Sequence, residues 1–120
     1  MKINSGEIWL ANLNPGKGTE PGKTRPVFIA QCQPLLDSNH PSVIAIPLTT
    51  NLVDDSFPLR VRIKAQERLK QESDLLIDQI RSIDIKRLTE EVPLTHCSDA
   101  LREKIHKAVC EVIGMESLAV

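Results

Sequence analysis

Apolar residues alternate with a period of two along Glu7–Leu13 (EIWLANL). Trp9, Ala11 and Leu13 fall on one face, and Ile8 and Leu10 on the other. That alternation predicts a first strand. Arg25–Gln31 (RPVFIAQ) and Ser42–Leu48 (SVIAIPL) read as second and third strands, with Thr49-Thr50-Asn51 closing the third. Pro26 lacks a backbone donor, so it belongs at a strand start or an edge. Leu59–Ile63 (LRVRI) alternates apolar and basic residues and predicts a half-exposed strand. Asp74–Ile77 and Gln79–Ile83 are two short strands or one bent strand, and Ile85–Leu88 a single helical turn. Between strands, Asn14–Thr24 (NPGKGTEPGKT) is rich in glycine and proline and cannot be helical. Cys32–Pro41 reads as a loop. Near the end, Leu101, Ile105, Ala108, Val109, Val112 and Ile113 recur at helical spacing. Ser98 is a good N-cap, Asp99 suits the first turn, and Gly114 lies near the stop. Five or six short strands followed by one amphipathic helix predict an α+β protein with a small, strongly bent sheet or barrel. The pattern alone does not choose among the small barrels.

Composition narrows the class. The chain of 120 residues reads as one domain over 1–120, long enough to bury a core. No run approaches the ~18 apolar residues of a membrane span. No long apolar run follows Lys2, so neither a membrane segment nor a secretory signal is expected, and the cytoplasm is the default compartment. Cys32, Cys97 and Cys110 are odd in number and form no CxxC, which fits reduced thiols. Net charge is −1, so there is no global attraction for a polyanion. Residues 1–64 carry seven basic and five acidic side chains, against eight and eleven in residues 65–120, which favours the first half for any nucleic-acid site.

Several chemistries are excluded by spacing. The loop Gly18-Thr19-Glu20-Pro21-Gly22-Lys23-Thr24 invites a phosphate-binding P-loop reading. That motif needs glycine where Lys17 stands and a helix after Lys23-Thr24, where Arg25-Pro26 opens a β-type run. His106 and Cys110 are four apart on the final helix, but no second ligand pair accompanies them, so no metal and no cofactor are expected. No nucleophile signature such as GxSxG occurs. Trp9, Phe28 and Phe57 are the only aromatics, too few for a module that stacks successive bases.

Three segments in order resemble the MazF/PemK toxin family. They are Gly6-Glu7-Ile8-Trp9-Leu10 with Asn14-Pro15 and Gly18-Thr19-Glu20-Pro21-Gly22-Lys23-Thr24-Arg25-Pro26; then Ile46-Pro47-Leu48-Thr49-Thr50; then Asp78-Gln79-Ile80-Arg81-Ser82-Ile83-Asp84 with Arg87-Leu88. Together they span roughly residues 5–115. The resemblance implies an SH3-like or CcdB-like β-barrel of five to seven short strands with a C-terminal amphipathic helix. It also implies a homodimer, cleavage of single-stranded RNA at short sequence motifs, and a cognate antitoxin with an acidic tail. Thr19 stands where the family usually has serine, and Pro21 replaces a common glutamine and would stiffen the loop. The segment Gln33–Asp37 carries no motif that fixes a base preference.

By the same resemblance, the site would use Arg25, Thr49, Thr19 and Glu20 for catalysis, and Lys17, Lys23 and Thr50 for RNA binding. In-line attack by a 2′-hydroxyl builds charge on the phosphoryl oxygens, which a fixed cation and hydroxyl donors would stabilise. Arginine offers a planar fork for phosphate, and Glu20 is the one carboxylate in the motif available as general base. Arg25 pairing structurally with Glu20, and Thr49 merely ending a strand, are the alternatives that composition leaves open. Gln79 and Arg81 read as polar groups that hold the fold. A gyrase-poisoning toxin of the CcdB type, an SH3-like interaction module and a non-catalytic member of the family are the competing functions.

Overall fold

The computed structural model describes residues 2–20 and 22–115. Pro21, expected to stiffen its loop, lies outside the described residues. Chain order is β1 (Glu7–Asn12), β2 (Thr24–Ile29), α1 (Gln33–Asp37), β3 (Ser42–Thr49), β4 (Arg60–Ile63), β5 (Ser73–Leu76), β6 (Arg81–Asp84), β7 (Thr95–His96) and α2 (Asp99–Val112). Single 3-10 turns at Ile77–Gln79 and Ile85–Arg87 flank β6. The segment 74–83 is therefore two strands joined by a turn. The span 32–41 was expected to be all loop, yet it contains the five-residue helix α1. Pro34 lies in its first turn, where a missing N–H costs nothing, and it buries no residue, so it leaves no apolar stripe to read.

All pairings are antiparallel, in the order β4-β5-β3-β2-β1-β7, with β6 also on β3. β3 changes partner along its length: Ser42–Ala45 faces β6, and Leu48–Thr49 faces β5. This switch bends the sheet. The chain after β6 then returns to β1 through an Ala11–Leu88 bridge and bonds from Thr89 N–H to the Leu10 carbonyl and Leu94 N–H to the Ile8 carbonyl. Pro26 is the third residue of β2, and pairing with β3 begins one residue later at Val27. It thus has a sheet neighbour on one side only, where a proline is tolerated.

The period-two alternation feeds two cores. Ile8, Phe28, Ile46 and Leu48 pack with Val61, Leu75, Ile77 and, from α2, Ile105 and Ala108. On the opposite face Trp9, Ala11, Leu13, Val27, Ile29, Val43 and Ala45 pack with Ile3, Ile83 and Leu88. The fully buried Trp9 donates its indole N–H to Glu7 at 3.1 Å, so the ring is buried with its polar atom satisfied. Helix α2 is capped by the Ser98 hydroxyl, which accepts the Leu101 N–H, and ends before Gly114 at φ +79°. Ile113, predicted on its apolar stripe, is 59% exposed. No helix among the described residues is long and apolar enough to cross a membrane.

Candidate active site

Two strand ends and one tied loop build the site. The loop 13–23 is held at its base by backbone and side-chain bonds. Leu13 N–H donates to the Lys23 carbonyl at 2.8 Å, and Lys23 N–H to the Asn14 side chain at 2.6 Å. Arg87 donates to the carbonyls of Asn12 (3.0 Å) and Asn14 (2.9 Å). Higher up, the limbs touch through Gly16 and Gly22. A Cβ on Gly22 would lie 2.8 Å from the Gly16 nitrogen, and one on Gly16 would lie 2.7 Å from the Gly22 nitrogen. Only glycine permits that approach.

This tied loop orients Arg25. Its Nε donates to the Gly22 carbonyl at 2.9 Å and its Nη1 to the Leu48 carbonyl at 3.2 Å. Among the described residues no carboxylate lies within ion-pairing distance of it, so the structural pairing with Glu20 does not form. A half-buried guanidinium is thus fixed by neutral acceptors and keeps its charge available.

The register β2–β3 sets Val27 opposite Pro47, Phe28 opposite Ile46 and Ile29 opposite Ala45. Pairing ends at Val27, and beyond it the Arg25 side chain reaches across to the Leu48 carbonyl, next to Thr49. Thr49 Oγ1 accepts the Asn51 N–H at 3.2 Å, which leaves its hydroxyl proton free to donate. Arg25, Thr49, Thr50, Lys23, Asn51 and Ser73 line one cleft of about 380 Å³. The structure therefore brings together Arg25, Thr49, Thr50 and Lys23. It places Lys17, Thr19 and Glu20 on the exposed turn at the loop tip, closed by Glu20 N–H to the Lys17 carbonyl, outside the lining of the cleft.

Beside it, a depression of about 390 Å³ holds Arg60, Arg62, Asp54 and Asp74. Here the cations are already matched. Asp74, 1% exposed, accepts from Arg62 (2.7 Å), Arg60 (3.2 Å) and the Val53 N–H (2.9 Å), and Arg62 also pairs with Asp54 (2.7 Å). Burial pushes the Asp74 carboxyl up, but Arg62, the Val53 N–H and Arg60 together hold it below the usual carboxylate range. Asp74 stands opposite Thr49 on β5 and ties down the segment that leaves β3. Sequence reading missed this network, because Asp74 is a dozen or more residues from both arginines. It also missed Arg87 as the loop's anchor. Gln79 and Arg81 are half-buried and make no side-chain hydrogen bond among the described residues, so the expected fold-holding role has no hydrogen bond behind it. Burial pushes the Cys97 thiol up to about 11, unsuited to thiolate chemistry.

Residues 4–113 match the family model described as the PemK-like, MazF-like toxin of type II toxin–antitoxin systems. The chain belongs to this toxin family. It is 32% identical over 117 residues to Endoribonuclease MazF of Staphylococcus saprophyticus subsp. saprophyticus, covering 97% of this chain and 95% of the relative. Its fold is similar to that of MazF from Deinococcus radiodurans (TM-score 0.77, 20% identity, 96% of this chain and 99% of that one). It is also similar to the Mycobacterium tuberculosis toxin MazF-mt6 (TM-score 0.74, 19% identity, 92% and 99%). A third likeness is to an endoribonuclease solved in complex with its cognate antitoxin from Mycobacterial species (TM-score 0.74, 19% identity, 96% and 98%). The expected α+β curled sheet with a C-terminal helix is the fold these toxins share.

Proposed function

We propose that this MazF-family toxin is a sequence-selective endoribonuclease that cleaves single-stranded RNA by attack of the 2′-hydroxyl on the adjacent phosphorus, a route that requires no metal. The supporting observation is the Arg25 guanidinium, fixed by the Gly22 and Leu48 carbonyls, paired with no carboxylate among the described residues and lining the same cleft as Thr49. In the reaction the 2′-oxygen forms a bond to phosphorus as the bond to the 5′-oxygen breaks. The products are a 2′,3′-cyclic phosphate, or its hydrolysed form, and a 5′-hydroxyl. Arg25 neutralises the charge developing on the phosphoryl oxygens, and Thr49 donates a hydroxyl to them. Thr19 adds a second hydroxyl from the loop tip, Glu20 takes the 2′-proton, and the departing 5′-oxygen takes its proton from solvent. Lys17, Lys23 and Thr50 hold the RNA backbone. The name of the staphylococcal relative supports this activity, and the mycobacterial endoribonuclease solved with its cognate antitoxin supports neutralisation by a cognate antitoxin. A cytoplasmic homodimer and an acidic antitoxin tail complete the proposal.

The test is incubation of the purified protein with a long unstructured RNA in EDTA, with both cut ends sequenced. Cuts at a recurring short motif with 5′-hydroxyl ends are expected, and Arg25→Ala should abolish them while remaining folded. A folded, antitoxin-free protein that leaves RNA intact overturns the reading.

A further inference from the structure

A second cleft, of about 260 Å³, opens directly off the first. It shares Pro26, Thr50 and Ser73 with it and extends over Leu10, Leu69 and Leu94 to Arg68, Lys70 and Gln71. Its floor is apolar and its rim polar. The wall is held firmly: Gln66 and Leu69 exchange backbone bonds at 2.9 Å, Arg68 N–H donates to the Leu94 carbonyl at 3.1 Å, and the Gln66 side chain donates to Thr95 Oγ1 at 2.8 Å. The cations on the rim differ. Arg68 is spent on Glu90 (3.0 Å) and the Pro93 carbonyl (3.1 Å). Lys70 touches only the Glu67 carbonyl at 3.3 Å, and among the described residues no carboxylate pairs with it. The Gln71 side-chain amide has no hydrogen-bond partner among the described residues. Its backbone carbonyl is the group that accepts from Ser73.

We infer that this cleft is a base-reading subsite, taking the nucleotide on one side of the cleaved bond in single-stranded RNA. The inference rests on the ribonuclease reading above. Pro26, Leu69 and Leu94 give the flat apolar surface on which an unpaired base lies, in place of the aromatic platforms the chain lacks. The Gln71 amide, both donor and acceptor, reads the base edge. Lys70 meets the flanking phosphate. Shared lining at Thr50 and Ser73 makes the two clefts one continuous path, as a chain of adjacent nucleotides requires.

Gln71→Ala and Lys70→Ala should be compared with the wild type on a randomised RNA library, with cut sites sequenced. Both side chains are exposed, so the fold should survive both changes. Gln71→Ala should relax the motif at one position adjoining the cut, with discrimination there falling about tenfold. Lys70→Ala should leave the motif intact and raise KM, and the salt dependence of binding should fall by roughly 0.7 in log–log slope, the share of one contact to a single strand. A wild type that cuts at a motif while both variants keep its motif, KM and salt slope overturns the subsite alone. So do variants altered only in antitoxin affinity. A wild type that cuts nothing overturns the parent reading, and the subsite with it.

Discussion

Replacing Asp74 by asparagine separates what the buried carboxylate does for stability from what it does for the cleft. The change keeps the side chain's shape but removes the charge from a group 1% exposed that faces Arg62, Arg60 and the Val53 N–H. Removing one partner of a buried ion pair typically costs 3–5 kcal/mol. Both arginines here reach solvent, so the expected loss is the low end, about 3 kcal/mol. For a domain of this size that lowers Tm by roughly 10 °C. The pH dependence has a definite sign. The folded pKa is depressed, so the stabilisation is fully present above the ordinary value of 3.8 and is lost as pH falls below it towards the folded value. Urea unfolding should therefore show a wide gap between wild type and Asp74→Asn at pH 7 that narrows below pH 4. The rate should respond as well. Arg60 donates to the Asn51 carbonyl at 2.8 Å while paired with Asp74, and the Asn51 N–H holds Thr49 Oγ1. A loosened Asn51 misplaces that hydroxyl, so kcat should fall about tenfold with KM little changed, part of the loss expected for the hydroxyl itself. In a Thr49→Ala background the same change should add almost nothing to the rate loss, since coupled residues are not additive. Rate losses that multiply in the double variant, or a stability gap that persists unchanged into acid, would refute the reasoning.

Thr49→Ala should lower kcat on the order of 10²-fold without unfolding the protein, as for loss of one preorganised donor; an unchanged single-turnover rate removes Thr49 from the mechanism. Glu20→Gln should lower kcat by about 10²-fold; an unchanged single-turnover rate returns the 2′-proton to another group. Arg87→Ala should free the loop base by removing its bonds to the Asn12 and Asn14 carbonyls. Amide exchange over residues 13–23 should quicken and kcat drop about tenfold, as positioning of Arg25 slackens; unchanged exchange would show that the other ties suffice.

What could be read in the chain, and what could not, divides by the range of the interactions responsible. β1 and β3 were legible because alternate residues enter two different cores, Ile8 one and Trp9 the other, so period and apolarity agree. Helix α2 was legible because its cap is local, Ser98 to Leu101. Thr95–His96 could not be read as a strand. It has two residues, and only its pairing with Glu7 and Ile8 makes it one. The site lies between these extremes. Arg25 and Thr49 came from a resemblance in three separate segments, and no composition or spacing rule joins residues 24 positions apart. The β2–β3 register joins them, and the bond from Arg25 to the Leu48 carbonyl spans the same pair of strands. That register also explains why Thr19 and Glu20 stand apart from the cleft although they sit closer to Arg25 in sequence. Gly16 and Gly22 pinch the loop, and Lys17, Thr19 and Glu20 lie on the exposed turn beyond that pinch, outside the cleft lining. Sequence neighbours of the arginine are thus carried off on the turn, while a distant threonine is delivered by the sheet. For the tip residues to act on the same phosphate, the turn must come down onto the cleft when RNA binds. A minimal dinucleotide carries both the attacking hydroxyl and the scissile phosphate, so kcat on it should depend on Glu20 as well as on Arg25. A dinucleotide rate indifferent to Glu20→Gln would return the 2′-proton to a group inside the cleft.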